Sequence, residues 1–220
     1  MRKGTDAMNQ TCETPAGDAG QAAREYIEYI ANLHLPRYDE LPGIDLYMDQ
    51  VLTYIEQNLR PLLPADEKLL TASMVNNYVK QGIVPMPKSK RYTRNHLAYL
   101  FSICVMKRTF SMHDILTMIG VQNETHDIRR AYDFFCSVVE ESLRVLFCGE
   151  LGSESIGTWT AEQPHGYAFS LKLADSSDLT PERRLVISAA TCAANKIFVE
   201  KSFELARNAG FDLSAHPERD

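Results

Sequence analysis

No Asp or Glu occurs in the 46 residues from Lys68 to His113. Other absences frame that one. No stretch approaches ~18 consecutive apolar residues, which argues against a membrane span. The first twenty residues hold two basic side chains with no apolar run after them, so they do not read as a secretory signal. Their small and polar composition predicts a loose tail, and the expected location is the cytoplasm. No CxxC joins any of the five cysteines. GxGxxG, GxxxxGKS, GxSxG and HExxH are missing, and with them the usual phosphate, hydrolase and metalloprotease signatures. The six histidines are scattered, Ser153 and Ser155 lack a strand-turn-helix setting, and Glu140–Glu141 reads as a solvated helix face. These absences predict a non-enzyme with no cofactor and no metal. Ten Pro, eleven Gly and no internal repeat exclude a low-complexity chain.

What is present is an ordinary globular composition: 220 residues, 45% hydrophobic and 24% charged, enough for one sizeable core or two small ones. The periodicity is helical almost throughout, so the expected class is all-α. Ala23, Tyr26, Ile27, Ile30 and Leu33 mark a first helix. Asp45 is placed to cap a second, whose Leu46, Val51, Leu52, Ile55 and Leu59 share a face, and Pro61 and Pro64 end it. Thr71 caps a third, with Gly82 at the position of a C′ glycine. Thr93 caps a long fourth helix carrying Leu97, Leu100, Phe101, Cys104 and Val105 inward. Ser111 with Asp114 resembles a capping box, and Gly120 is read as that helix's stop. A helix follows over about 124–147, and a last one opens at Thr180–Pro181. Between these two, "YAFSLKL" at 167–173 alternates as a strand would. Cys104, Cys136 and Cys192 lie in apolar helical patterns and read as reduced core thiols.

The acid-free segment carries eight cations: Lys68, Lys80, Lys88, Lys90, Arg91, Arg94, Lys107 and Arg108. The rest of the chain holds 15 basic against 29 acidic residues. Within the segment, the short helix after Thr71 turns Met74, Val75, Tyr78 and Val79 one way. It turns Ser73, Asn76, Asn77 and Lys80 the other. Amide and hydroxyl side chains exchange hydrogen bonds with base edges, and a helix of about ten residues enters a major groove. The Pro-containing loop behind it supplies Lys88, Lys90, Arg91, Tyr92 and Arg94 for phosphates. One carboxylate there would repel a polyanion, whereas the acidic remainder would direct binding to this face. Each piece alone also fits a plain solvated surface, with Tyr92 packed under the loop.

The segment "TASMVNNYVKQGIVPMPKSKRYTRNHLAYLFSICVMKRTFSMHDILTMI" resembles the DNA-binding domain of MerR-type regulators. Tyr78, Gly82, Ile83, Val84, Pro85, Arg91, Tyr92 and "FSMHDI" carry the likeness. It implies a winged helix-turn-helix whose third helix reads DNA. Asn76 and Asn77 stand where that family has an Arg and an aromatic. Its wing is longer and bears glycine, and about 11 residues separate Leu59 from Thr71 where it has a tight turn. Over roughly residues 35–145, "LPRYDELPGIDLYMDQVL" with "LTASMVNNYVKQGIVP" resembles the bacterial family known as domain of unknown function 1836, a name that implies no activity.

The expected organisation is a tail over 1–20, helices over 21–65, a MerR-like winged helix-turn-helix over 66–120 and a helical region over 121–220. The expected function is sequence-specific binding of double-stranded DNA as a transcription regulator. The rival reading is a protein-interaction adaptor that keeps the helix-turn-helix shape. A small-molecule pocket near Trp159 and Tyr167 is compatible with either. Leu185 to Val199 is apolar nearly all round, so the last helix needs cover from its own core or a second copy, and a homodimer is expected.

Overall fold

The computed structural model describes residues 16–63, 68–125, 127–148, 180–208 and 210. They form seven α-helices: α1 (Ala16–Ala31), α2 (Met48–Leu59), α3 (Ala72–Lys80), α4 (Arg94–Met106), α5 (Met112–Thr125), α6 (Ile128–Cys148) and α7 (Pro181–Asn208). No strand occurs among the described residues, so the class is all-α. The expected strand at 167–173, and Trp159 and Tyr167, lie outside them. α1 begins at Ala16, inside the segment read as a tail.

α4 is the central element. Leu97, Leu100, Phe101, Ile103 and Cys104 are fully buried on it, and it packs on α2, α6 and α7. Each such Leu or Ile contributes about 1.5–3 kcal/mol by leaving water. α2 turns Val51, Ile55 and Leu59 inward against α4, and α3 adds Val75 and Tyr78 beside α2.

α6 and α7 form the second half. Three contacts keep nearly one offset along both helices. The Arg183 guanidinium lies over the Phe134 ring, Ser142 Oγ meets Thr191 Oγ1 at 3.2 Å, and Phe147 stands edge-on to Phe198. The pair is therefore parallel. Ala189, Ala190, Ala193 and Ala194 give α7 a small-residue face that lets it approach closely. α1 runs the other way along α6, with Tyr26 edge-on to Phe147. Arg144 Nη2 donates to the Leu33 carbonyl at 2.7 Å.

Five expectations need correction. Leu46 is not helical, because its N–H and C=O both pair with Tyr92, at 2.9 and 2.8 Å. α2 therefore opens at Met48, capped by Gln50 Oε1 accepting from the Tyr47 N–H, and Asp45 plays no cap. Gly120 does not stop α5, since its φ is not left-handed and the helix continues to Thr125. Glu140 is not solvated: it is 3% exposed and accepts from the Leu35 N–H at 2.5 Å and from both Arg37 terminal nitrogens at 2.7 Å. Cys104 and Cys136 are core thiols, pushed up to about 12 by burial. Cys192 is exposed, as is Cys148.

Candidate nucleic-acid interface

α3 is fixed at both ends by local chemistry. Thr71 Oγ1 accepts from the Met74 N–H at 3.2 Å, closing the N-terminal cap. At the other end Gly82 has φ +74°, the left-handed backbone that glycine adopts without cost. The Ile83 N–H then reaches the Tyr78 carbonyl at 2.9 Å and the Gly82 N–H the Val79 carbonyl at 3.0 Å. That pairing is a Schellman motif, and buried Ile83 and Tyr78 are its apolar clasp. With Val75 and Tyr78 held inward, Ser73, Asn76, Asn77 and Lys80 are exposed, as the spacing predicts. The first turn of α3 holds no acidic residue.

The basic loop after α3 closes in a four-residue turn over residues 88–91. Lys88 and Arg91 form an antiparallel bridge closed by the Arg91 N–H to the Lys88 carbonyl at 2.9 Å. Ser89 and Lys90, its central residues, have φ of 50° and 60°. Two left-handed centres are the mark of a type I′ turn, which asparagine and glycine fill without strain. Here Ser and Lys occupy them, and Lys88, Ser89 and Lys90 are all exposed. Lys80, Lys88 and Lys90 make no ion pair among the described residues.

Of the other five cations of the acid-free segment, Lys68 is exposed and four are tied down. Arg91 lies over the Tyr47 ring at 4.5 Å and donates to the Tyr47 hydroxyl at 2.9 Å. Arg94 Nε donates to the Leu41 carbonyl at 3.1 Å, and its Nη1 lies 3.5 Å from Asp39. Lys107 Nζ donates to the Leu69 carbonyl at 2.5 Å. Arg108 forms a forked pair with Glu200 of α7 at 2.8 and 2.9 Å. A segment without carboxylates in sequence thus borrows Asp39 and Glu200 in space.

Tyr92 is buried beneath the turn rather than turned outward with its basic neighbours. Its ring stands edge-on to His96 at 5.5 Å. His96 fills the third helical position of α4, where its Nδ1 accepts from the Thr93 N–H at 3.0 Å. That is a capping box with His in place of Glu or Gln. His96 Nε2 faces the Pro85 and Met86 carbonyls without closing a hydrogen bond, and burial holds the imidazole below its usual pKa. Neutral His96 therefore props up the start of the loop.

Residues 36–135 match the model of the family described as a domain of unknown function, DUF1836. No curated protein and no solved structure matches the chain. The DUF1836 segment takes in α2 to α5 and the first part of α6, and so the whole of the candidate interface, but leaves α7 outside.

Sequence reasoning missed the rim of this surface. Ile44 is 73% exposed, Tyr47 48% and Met86 80%. The Leu46–Tyr92 pairing and the Arg91–Tyr47 stack bring residues 44–47 against the turn. The Pro-Met-Pro triplet at 85–87 was the readable signal, because two prolines hold the residue between them extended. Among the described residues no three His, Cys, Asp or Glu side chains gather as a metal-ligand set. None of the described helices is long and apolar enough to cross a membrane.

Proposed function

We propose that α3 and the basic turn bind double-stranded DNA in a sequence-specific manner, as a MerR-like winged helix-turn-helix of a transcription regulator. Ser73, Asn76, Asn77 and Lys80 read base edges; Lys88, Lys90 and Arg91 contact phosphates. The role is one of binding, without catalysis. One observation carries this reading. Ser and Lys sit at the two left-handed positions of an exposed turn, where Gly or Asn would be relaxed, and the lysines on it have no carboxylate partner among the described residues. Strain retained at an exposed position points to function. Lysine there is explained by a need for charge.

A carboxylate-free first turn adds the positive end of the α3 dipole, which favours an approaching phosphate. Arg94 and Tyr92 drop out of the contact set. The first pairs with Asp39 and the second is buried, so both position the loop.

The exposed side of α7 supports a pairing of two copies. Its own chain covers Val186, Ala190, Ala194 and Ile197, while Leu185, Cys192, Val199 and Phe203 remain exposed on the opposite side. A homodimer through that stripe would match a palindromic site. Sedimentation at micromolar concentration should give about twice 24.9 kDa, and a strict monomer would remove the two-fold arrangement.

The exposed Ile44, Tyr47 and Met86 support a second reading. Aromatic, Met and Arg side chains are enriched at protein interfaces, so an adaptor that docks an acidic protein is the rival. Selection from random duplex DNA at near-physiological salt separates the two. An enriched sequence supports the regulator; no enrichment favours the adaptor.

A further inference from the structure

A cavity of about 70 Å³ lies where α4, α5, α6 and α7 meet. Its walls are almost wholly apolar, and no charged side chain lines it. Two of the polar side chains at its edge are already paired. Ser102 Oγ donates to the Ala98 carbonyl at 3.0 Å, and the Tyr132 hydroxyl donates to the Pro36 carbonyl at 2.9 Å. An occupant therefore finds few hydrogen-bonding groups and no charge to pair with. Water gains little in such a space, because a buried water needs two to four polar partners.

The lining is also adaptable. Met106 on α4 and Met118 on α5 face Tyr132 and Phe135 on α6. Methionine has three rotatable bonds and a polarizable sulfur, which moulds to ligands of different outline. Aromatic walls add ring-edge and ring-face contacts. An apolar void deprives its lining of dispersion partners, so a molecule that fills it stabilises the fold. A dry apolar cavity of about 150 Å³ holds benzene. The enclosed space here is smaller, but its mouth is partly open.

We propose that the junction of α4, α5, α6 and α7 is a binding site for a small, uncharged, apolar molecule, a single ring or a short branched chain. The inference goes beyond DNA binding and stands whether or not the basic face contacts nucleic acid. α4 lines the cavity with Ala98, Tyr99, Ser102 and Met106 and carries the Thr93–His96 cap under the basic turn at its N-terminus, so the two sites share one helix.

Benzene, with benzoate as the charged control, tests this on the full-length chain. The methyl resonances of the methionines report position. Saturable shifts are expected at Met106 and Met118, none at Met86, and none with benzoate, together with a rise in Tm that depends on benzene concentration. Ala131→Leu places bulk in the cavity wall and should abolish the shifts while leaving the fold intact. If that variant does not fold, the wild-type methyl shifts decide alone. Shifts absent from Met106 and Met118, equal at Met86, equally produced by benzoate, or retained in folded Ala131→Leu would each overturn the proposal. A cavity already filled by the chain itself would give the first of those results.

Discussion

Lys90→Gly is expected to make the protein more stable and a poorer DNA binder at once. Lys90 has φ 60° in an exposed turn and no ion pair among the described residues. A non-glycine residue in the left-handed region costs about 1–2 kcal/mol. Glycine gives back about 0.5–1 kcal/mol of that through the freedom of the unfolded chain. The net gain is up to about 1.5 kcal/mol, or up to about 6 °C in Tm for a chain of this length. The same change removes one cation. If Lys90 sits on a phosphate, the slope of log affinity against log salt should shrink by about 0.9, with every DNA sequence weakened alike. Thermal unfolding and fluorescence anisotropy across a salt series read both quantities from one preparation. A destabilised variant would refute the account of the turn. A stabilised variant with unchanged salt slope would refute the phosphate contact.

Three further expectations rest on single side chains. Glu140→Ala strands the Leu35 N–H and the Arg37 guanidinium, and should cost about 3 kcal/mol in urea denaturation. That is the low end for a broken buried pair, because Arg37 is partly exposed and can rehydrate. Glu140→Gln keeps an acceptor for Leu35 and should cost less; equal losses would show that the hydrogen bond to Leu35 contributes nothing. Gly120→Ala should stabilise by about 0.5–1 kcal/mol, since the site is helical and exposed. A Cβ there meets nothing within 4 Å, so a loss of stability would mean that α5 is not continuous. His96 titrates lower in the fold than in the unfolded chain because of burial. Its stabilisation is therefore complete above the unfolded pKa of 6.5 and declines as pH falls below it. His96→Gln restores a standard capping box and should flatten stability between pH 7 and 5; an unchanged slope would assign the acid sensitivity elsewhere.

The legible parts of the fold were those whose partners lie within a few residues. Thr71, Gly82, Thr93 and the Ser111–Asp114 pair all cap where their local chemistry places them. The third helix turned Asn76 and Asn77 outward because Val75 and Tyr78 had only one face to bury. What failed was set by distant chain. Glu140 looked like a surface residue because Arg37, its partner, is 103 positions away. Arg108 looked available because Glu200 lies 92 positions on. Leu46 has a helical pattern, yet Tyr92 claims its backbone. Gly120 misled for a different reason: glycine ends helices only when its φ turns positive, and sequence does not record φ. The candidate interface was readable as a helix and a basic loop. Tyr47, which holds Arg91, belonged to another helix's approach and gave no local sign.

The central claim is that α3 reads bases while the turn holds phosphates, and a comparison of Asn77→Ala with Lys88→Ala tests it most directly. The wild-type chain is first selected against random duplex DNA near physiological salt, and both variants are then titrated on the enriched site and on random duplex. Asn77 is exposed on α3, and its loss should cost about 1–3 kcal/mol on the selected site, little on random DNA, and relax the preference at one or two positions. Lys88 is exposed at the base of the turn, and its loss should weaken both DNAs alike and lower the salt slope by about 0.9. Two variants that weaken specific and random DNA to the same degree, or a wild-type chain that enriches no sequence, would contradict the claim.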